Sequence, residues 1–127
     1  MMIDAVIISP VFGVRYKKVE NTLQAWANRL CCDYLSTQNV FVGGKKFMIV
    51  YDAEHRRNGK YRWLSAKTKD FPETGSAIAG SVLIVGTDST SVTKDDYDLI
   101  LRNVETSMGI VSDEIRIPIV HMNFAWE

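Results

Sequence analysis

A strand, a two-glycine turn and a second strand follow one another in the middle of the chain. Val40–Val42 is apolar, the dipeptide Gly43-Gly44 comes next, and residues 45–51 alternate between the two faces of a strand. Two consecutive glycines supply the positive φ angles that a tight hairpin turn requires. Because a hairpin pairs its strands antiparallel, this segment predicts an antiparallel β-sheet. The side chains expected to share one face are Phe47, Ile49 and Tyr51.

Short apolar or alternating runs predict five further strands. Pro118 has no N–H to donate, so we expect the last of these strands to lie at a sheet edge. The arrangement predicts an α+β fold: one domain, residues 1–127, with a mostly antiparallel sheet of about six to seven strands and two helices packed on one face. The five predicted strands are Ile3–Ser9, Val14–Val19, Tyr61–Ala66, Ser81–Val85 and Ile115–Val120.

Two segments have the periodicity of amphipathic helices. The first, residues 21–35, begins with Asn21 as the predicted N-cap and repeats apolar side chains at steps of three and four. Thr93 caps the second helix, with Asp96 at the capping-box position. We expect the apolar stripe of the first helix to pack on the sheet; it consists of Leu23, Trp26, Ala27, Leu30, Cys31 and Tyr34.

Charge is unevenly distributed, although the formal net charge is zero. Residues 45–69 hold eight bases and two acids, whereas residues 88–114 hold seven acids and two bases. The middle of the chain is therefore basic and the later part acidic. Two copies could bring these opposite charges together, which favours a homo-oligomer that uses the predicted edge strand 115–120.

The basic middle is the best candidate for a binding surface. Arginine side chains suit phosphates and carboxylates, and aromatic faces suit stacked bases. The pattern also fits a solvated loop with its aromatic residues in the core, and domains that bind nucleic acid are usually strongly basic overall. The predicted partner-binding residues are Arg56, Arg57, Lys60, Arg62, Trp63 and Lys67.

Residue patterns that carry catalysis or bind metals are not evident in the sequence. The adjacent Cys31 and Cys32 lack the CxxC spacing and indicate reduced thiols, since neighbouring residues rarely form an unstrained disulfide. Gly43-Gly44-Lys45-Lys46 lacks the spacing of a phosphate-binding loop and precedes a strand instead of a helix. We predict no catalytic residue, no metal and no cofactor; an enzyme with a Cys–His pair is the less favoured alternative.

Hydropathy predicts a protein without membrane contact. The longest apolar stretch, Ile78–Gly86, is far shorter than the ~18 residues that cross a bilayer. The N-terminus has no basic region before an apolar one, so we expect no secretion signal.

The segment Ala77–Asp88, which reads AIAGSVLIVGTD, resembles part of a small family of uncharacterised domains from phages, plasmids and other bacterial mobile elements. The order of the remaining features is similar too: a first strand that ends at Pro10, a helix start at 20–23, and the strand end Tyr51–Glu54 with a turn at Gly59. The resemblance implies a genomic setting rather than an activity. It also implies a location in the cytoplasm of a bacterial host cell.

These features together predict a non-enzymatic interaction protein of phage or mobile-element origin. Its expected partner is a host or phage protein, with a component of host defence as one candidate, or a phosphate-bearing ligand. The alternative is a nucleotide or nucleic-acid binding module that uses the basic, aromatic segment 45–71.

Overall fold

The described part of the chain contains nine strands and two α-helices. The computed structural model describes residues 1–9, 12–54, 63–67, 76–110 and 116–127, with only the backbone at 63–67, 76–79, 107–110 and 116–119. The elements are β1 (Met2–Ser9), β2 (Gly13–Glu20), α1 (Leu23–Arg29), β3 (Leu35–Val42), β4 (Lys45–Asp52), β5 (Trp63–Lys67), β6 (Ser76–Ala79), β7 (Val82–Val85), a 3-10 turn (Thr87–Ser89), α2 (Lys94–Arg102), β8 (Val104–Ile110) and β9 (Arg116–Trp126).

All nine strands belong to one sheet, in the order β2-β1-β7-β4-β3-β9-β5-β6, with β8 also paired to β9. Neighbouring strands are antiparallel except β5 and β9, which are parallel. The predicted α+β fold with a mostly antiparallel sheet is therefore confirmed. The sheet has two more strands than predicted, because the short β6 and the segment that becomes β8 have no clear alternation of apolar and polar residues.

The hairpin at Gly43-Gly44 forms as predicted. β3 and β4 pair without a register shift from Leu35 opposite Asp52 to Val42 opposite Lys45. Gly43 has a φ of 57° and Gly44 a φ of 85°, which is the left-handed conformation that this turn requires.

Both faces of the sheet are buried at its centre. All four residues of β7 are buried. Val82 and Ile84 belong to one apolar cluster, whereas Leu83 and Val85 belong to the other. β1 divides in the same way, with Val6 and Ile8 in the first cluster. Because successive side chains of a strand point to opposite faces, the two clusters lie on the two sides of the sheet.

The two helices lie on opposite faces of the sheet, which corrects the prediction that both pack on one face. Trp26 of α1 packs with Ile3 and Ile7 in one cluster, whereas Ile100 of α2 packs with Val6 in the other. A central sheet with apolar side chains on both faces needs a cover on each side. The periodicity of a helix does not show which of the two faces it will cover.

α1 is much shorter than the predicted helix of residues 21–35. Thr22 is the N-cap and accepts a hydrogen bond from the Ala25 N–H at 3.1 Å, while the Asn21 amide donates to the Ser89 carbonyl oxygen at 3.1 Å. The helix ends at Arg29, and the chain from residue 35 onward pairs with β4 instead. Eight residues of strand pairing outweigh the helical periodicity of this segment.

The last strand is not a simple edge strand. β8 pairs with Arg116–Met122, and β5 lies on the other side of β9 from Val120 onward. Within the described chain, the stretch 116–119 pairs with β8 alone. Pro118 lies in this stretch, where its missing N–H interrupts no second ladder.

Candidate functional site

Most of the predicted binding surface falls outside the described residues. This applies to Arg56, Arg57, Lys60 and Arg62. Trp63 and Lys67 are the first and last residues of β5, which lies between β6 and β9. The backbone thus places these two residues at opposite ends of one strand, and the basic surface as a whole stays a prediction.

The first two bases of the basic segment form ion pairs within the chain. Lys45 Nζ lies 2.5 Å from Asp96 Oδ1, and Lys46 Nζ lies 3.1 Å from Glu127 Oε1. These two lysines therefore already have acidic partners, unlike the exposed cations expected of a phosphate-binding surface.

Asp96 connects the β3–β4 hairpin to the start of α2. Its side chain accepts hydrogen bonds from Lys45 Nζ and from the Thr93 N–H, the latter at 2.9 Å, and the Thr93 hydroxyl accepts from the Asp96 N–H. Burial raises the pKa of Asp96, but the contacts with Lys45 and Thr93 outweigh burial and lower it below the ordinary 3.8. This confirms the predicted capping box, whose role here is structural.

A tyrosine pair lies beside this connection. The Tyr16 and Tyr97 rings are 5.6 Å apart, and the Tyr16 hydroxyl donates to the Val92 carbonyl oxygen at 3.3 Å. Burial raises the pKa of Tyr16, and the carboxylates of Asp4 and Asp96 raise it further. A phenol held in its protonated form is suited to hydrogen bonding, so these contacts fasten α2 to the sheet.

An open concave surface runs along α1. It consists of two adjoining cavities of about 450 Å³ and about 520 Å³ that share Ala27 and Asp33. We call the whole feature the α1 groove. Its apolar end is lined by Leu23, Gln24, Ala27, Asp33, Tyr34, Leu35 and Thr37. Its thiol end is lined by Ala27, Asn28, Cys31, Cys32 and Asp33.

Two large side chains of the apolar end are exposed to solvent. Leu23 is 66% exposed and Tyr34 is 65% exposed, although the helical pattern predicted that both would be buried. Leu23 is the first residue of α1, and Tyr34 follows its end. Because the helix ends at Arg29, Tyr34 lies outside it and does not continue the face of Trp26, which is only 2% exposed.

The thiol end is shaped by the way α1 terminates. The Cys32 N–H donates to the Ala27 carbonyl oxygen at 3.0 Å, and the Cys31 N–H donates to the Asn28 carbonyl oxygen at 3.2 Å. These two bonds form a Schellman motif, in which the residue after the C-cap adopts the left-handed conformation. That residue is Cys31, with a φ of 54°, and its side chain is exposed. Neither cysteine is in a disulfide.

Sequence reasoning assigned four residues of the α1 groove to the apolar stripe that packs on the sheet: Leu23, Ala27, Cys31 and Tyr34. The signal that could have revealed the groove is the length of the apolar stripe, because the stripe from Leu23 to Tyr34 is longer than α1. The sequence Cys-Cys-Asp at 31–33 contains no glycine, so it did not predict a left-handed backbone conformation after the end of the helix.

In the described part of the chain, no group of three or more His, Cys, Asp or Glu side chains has the arrangement of a metal site. The helices of the same part are all too short or too polar to cross a membrane.

A comparison with protein-family models, with curated proteins and with solved structures found no match to this chain.

Proposed function

We propose that this chain is a non-enzymatic interaction protein that binds another protein through the α1 groove. The observation that carries the proposal is the exposure of Leu23 and Tyr34, which both line a cavity of about 450 Å³. Large apolar side chains that remain exposed around a concave surface are typical of protein-binding sites.

The chemistry of the apolar end suits a protein partner. Burial of a side chain such as leucine contributes about 1.5–3 kcal/mol, and tyrosine is enriched among the residues that dominate binding energy. Gln24, Asp33 and Thr37 surround these residues with polar groups. An apolar centre with a polar margin is the usual composition of a protein interface.

The origin and the target follow from the sequence resemblance. The stretch Ala77–Asp88 supports a phage or mobile-element protein that acts in the cytoplasm of a bacterial host. A host protein, with a defence component as one candidate, is the proposed partner. A small protein that acts by occupying a partner's surface needs no active site of its own.

The test places a photo-crosslinking amino acid at Gln24, inside the groove, and a second one at Leu101, which is exposed on α2. The protein crosslinked from position 24 is purified, and its affinity is measured for two matched variants, Leu23→Gln and Leu101→Gln. Both leucines are exposed helix residues, with exposed fractions of 66% and 44%. We expect Leu23→Gln to weaken binding about tenfold, which corresponds to roughly 1.4 kcal/mol, and Leu101→Gln to leave it unchanged.

Equal affinity of the two variants would contradict the proposal, as would a partner that crosslinks equally from both positions. Both substitutions change solvent-exposed side chains, so each variant should unfold at the temperature of the parent protein.

A further inference from the structure

The strand β2 begins the order of the sheet, and one of its sides has no neighbour among the described strands. Its eight residues pair with β1 along their whole length without a register shift, and none of them is a proline. In such a strand, every second residue directs its backbone N–H and C=O groups away from the paired neighbour. The side of β2 that faces away from β1, which we call the outer edge of β2, can therefore pair with a further strand.

Two bases on one face of β2 have no acid beside them. Arg15 and Lys17 are exposed, and β1 places Ile7 opposite the first and Ala5 opposite the second. The helix α1 covers the same face and contains no acidic residue. Within the described chain, neither base forms an ion pair.

The charged residues on the other face of β2 differ in this respect. Lys18 lies opposite Asp4, and its Nζ is 3.3 Å from Asp4 Oδ1. Glu20 forms an ion pair with the amino group of Met1. The protein thus neutralises the charges on this face itself, whereas the acids that would match Arg15 and Lys17 have to come from a strand at the outer edge.

The same edge offers apolar contact on the face opposite the two bases. Val14 and Tyr16 are half-buried and pack against the apolar core, and the ring of Tyr97 lies 5.6 Å from that of Tyr16. Successive side chains of an added strand would point to alternate faces. A matching strand therefore has acids on one face and apolar residues on the other.

We propose that the outer edge of β2 binds an extended segment of a partner protein in which acidic and apolar residues alternate. The segment adds a strand to the sheet, so that backbone hydrogen bonds supply affinity and side chains on the two faces supply specificity. A second copy of β2 fits poorly, because it would bring the unpaired bases of both copies together. This surface does not depend on the α1 groove and goes beyond the function proposed for it.

The test follows the amide NMR signals of the isotope-labelled full chain during titration with two blocked peptides of the same length as β2. One peptide alternates glutamate with valine, and the other alternates lysine with valine. We expect the glutamate peptide to shift the amide signals of β2 and to bind at least about tenfold more tightly, because two cross-strand charge pairs change from repulsive to attractive. This comparison uses the unaltered protein, so it does not depend on the folding of a variant.

Reversing the two charges should exchange the preference. The double variant Arg15→Glu with Lys17→Glu should bind the lysine peptide more tightly than the glutamate peptide, since the sign of the charge decides which partner is repelled. The control is Arg102→Glu, which reverses an exposed base at the end of α2 and should keep the preference of the parent.

The proposal is overturned if the glutamate peptide does not bind, if the two peptides bind equally, or if the shifted signals exclude β2. A dimer of the parent that the double variant cannot form would also overturn it, because the edge would then hold a second copy; sedimentation measures this. Failure of these tests leaves the crosslinking at Gln24 unaffected, so the two proposals are tested separately.

Discussion

Three residues other than glycine have a left-handed backbone in the described chain, and Cys31 is the one that ends a helix. Its φ of 54° lies where a side chain crowds the following carbonyl oxygen, at a cost of about 1–2 kcal/mol. Glycine is the usual residue at this position of a Schellman motif. The chain carries Cys31 there instead, with its side chain exposed.

Replacing Cys31 with glycine should therefore stabilise the protein. We expect Cys31→Gly to raise the free energy of unfolding by about 1 kcal/mol, because glycine adopts positive φ without steric cost. Chemical denaturation measures the effect. The control is Cys32→Gly, at a position whose φ is not positive, where added chain freedom should lower stability instead. If both variants lose stability equally, the left-handed conformation of Cys31 does not lower the stability of the parent protein.

Two contacts join the β3–β4 hairpin to α2. The β3–β4 turn lies against α2, where Gly43 faces the Leu99 side chain. Beside it, Lys45 and Asp96 connect the same hairpin to the first turn of that helix. Asp96 is only 6% exposed, so it acts at once as a helix cap and as a link between elements.

This double role predicts a dependence of stability on pH. A carboxyl group whose pKa is lowered by folding binds fewer protons in the folded chain than in the unfolded one. Asp96 therefore contributes fully to the free energy of unfolding at pH values above its ordinary pKa of 3.8. This contribution is lost as the pH falls through the lower pKa of Asp96 in the folded state. We expect Asp96→Asn to be less stable than the parent at pH 7, with the difference shrinking as the pH falls below 3.8.

The measurement compares the free energies of unfolding of parent and variant at several pH values. Asp98→Asn is the control at pH 7, since Asp98 is a half-exposed α2 residue 3.5 Å from Lys94, and its loss should change stability by less than about 0.5 kcal/mol. If the free energy of unfolding of Asp96→Asn stays below that of the parent by the same amount down to acid pH, the expected protonation of Asp96 is contradicted.

At the scale of the whole molecule, one sheet divides the protein into two apolar layers with a helix on each. Besides the outer edge of β2, two regions are candidates for binding a partner, and they differ in chemistry. The α1 groove is apolar with a thiol end, whereas segment 45–71 is basic and aromatic. Only the second region would make binding depend strongly on salt.

The basic segment is tested with a labelled single-stranded oligonucleotide at increasing salt. If it binds phosphates, affinity falls as salt rises, and the triple substitution of Arg56, Arg57 and Arg62 with alanine weakens binding and reduces the salt dependence. Lys46→Ala is the matched control, because Lys46 pairs with Glu127 and its loss should have a smaller effect. Absence of binding at low salt, or equal binding by the triple variant, would exclude this function.

Local patterns alone determined the elements with strong turn or capping signals. Gly43-Gly44 specified the hairpin, and Thr93 with Asp96 specified the start of α2, because each depends on residues close together in the sequence. The alternation of apolar residues in other segments likewise indicated the α+β class, and the continuous apolar run of 82–85 indicated the buried strand β7.

Tertiary structure decided where those elements went. The stripe from Leu23 to Tyr34 has a helical period, but α1 ends at Arg29 and the residues from 35 onward pair with β4, so Tyr34 lies outside the helix and is exposed. The choice of face for each helix and the second neighbour of β9 likewise depend on contacts between distant residues. The α1 groove exists because strand pairing overrode a local preference, and such competition between distant and local contacts cannot be judged from periodicity alone.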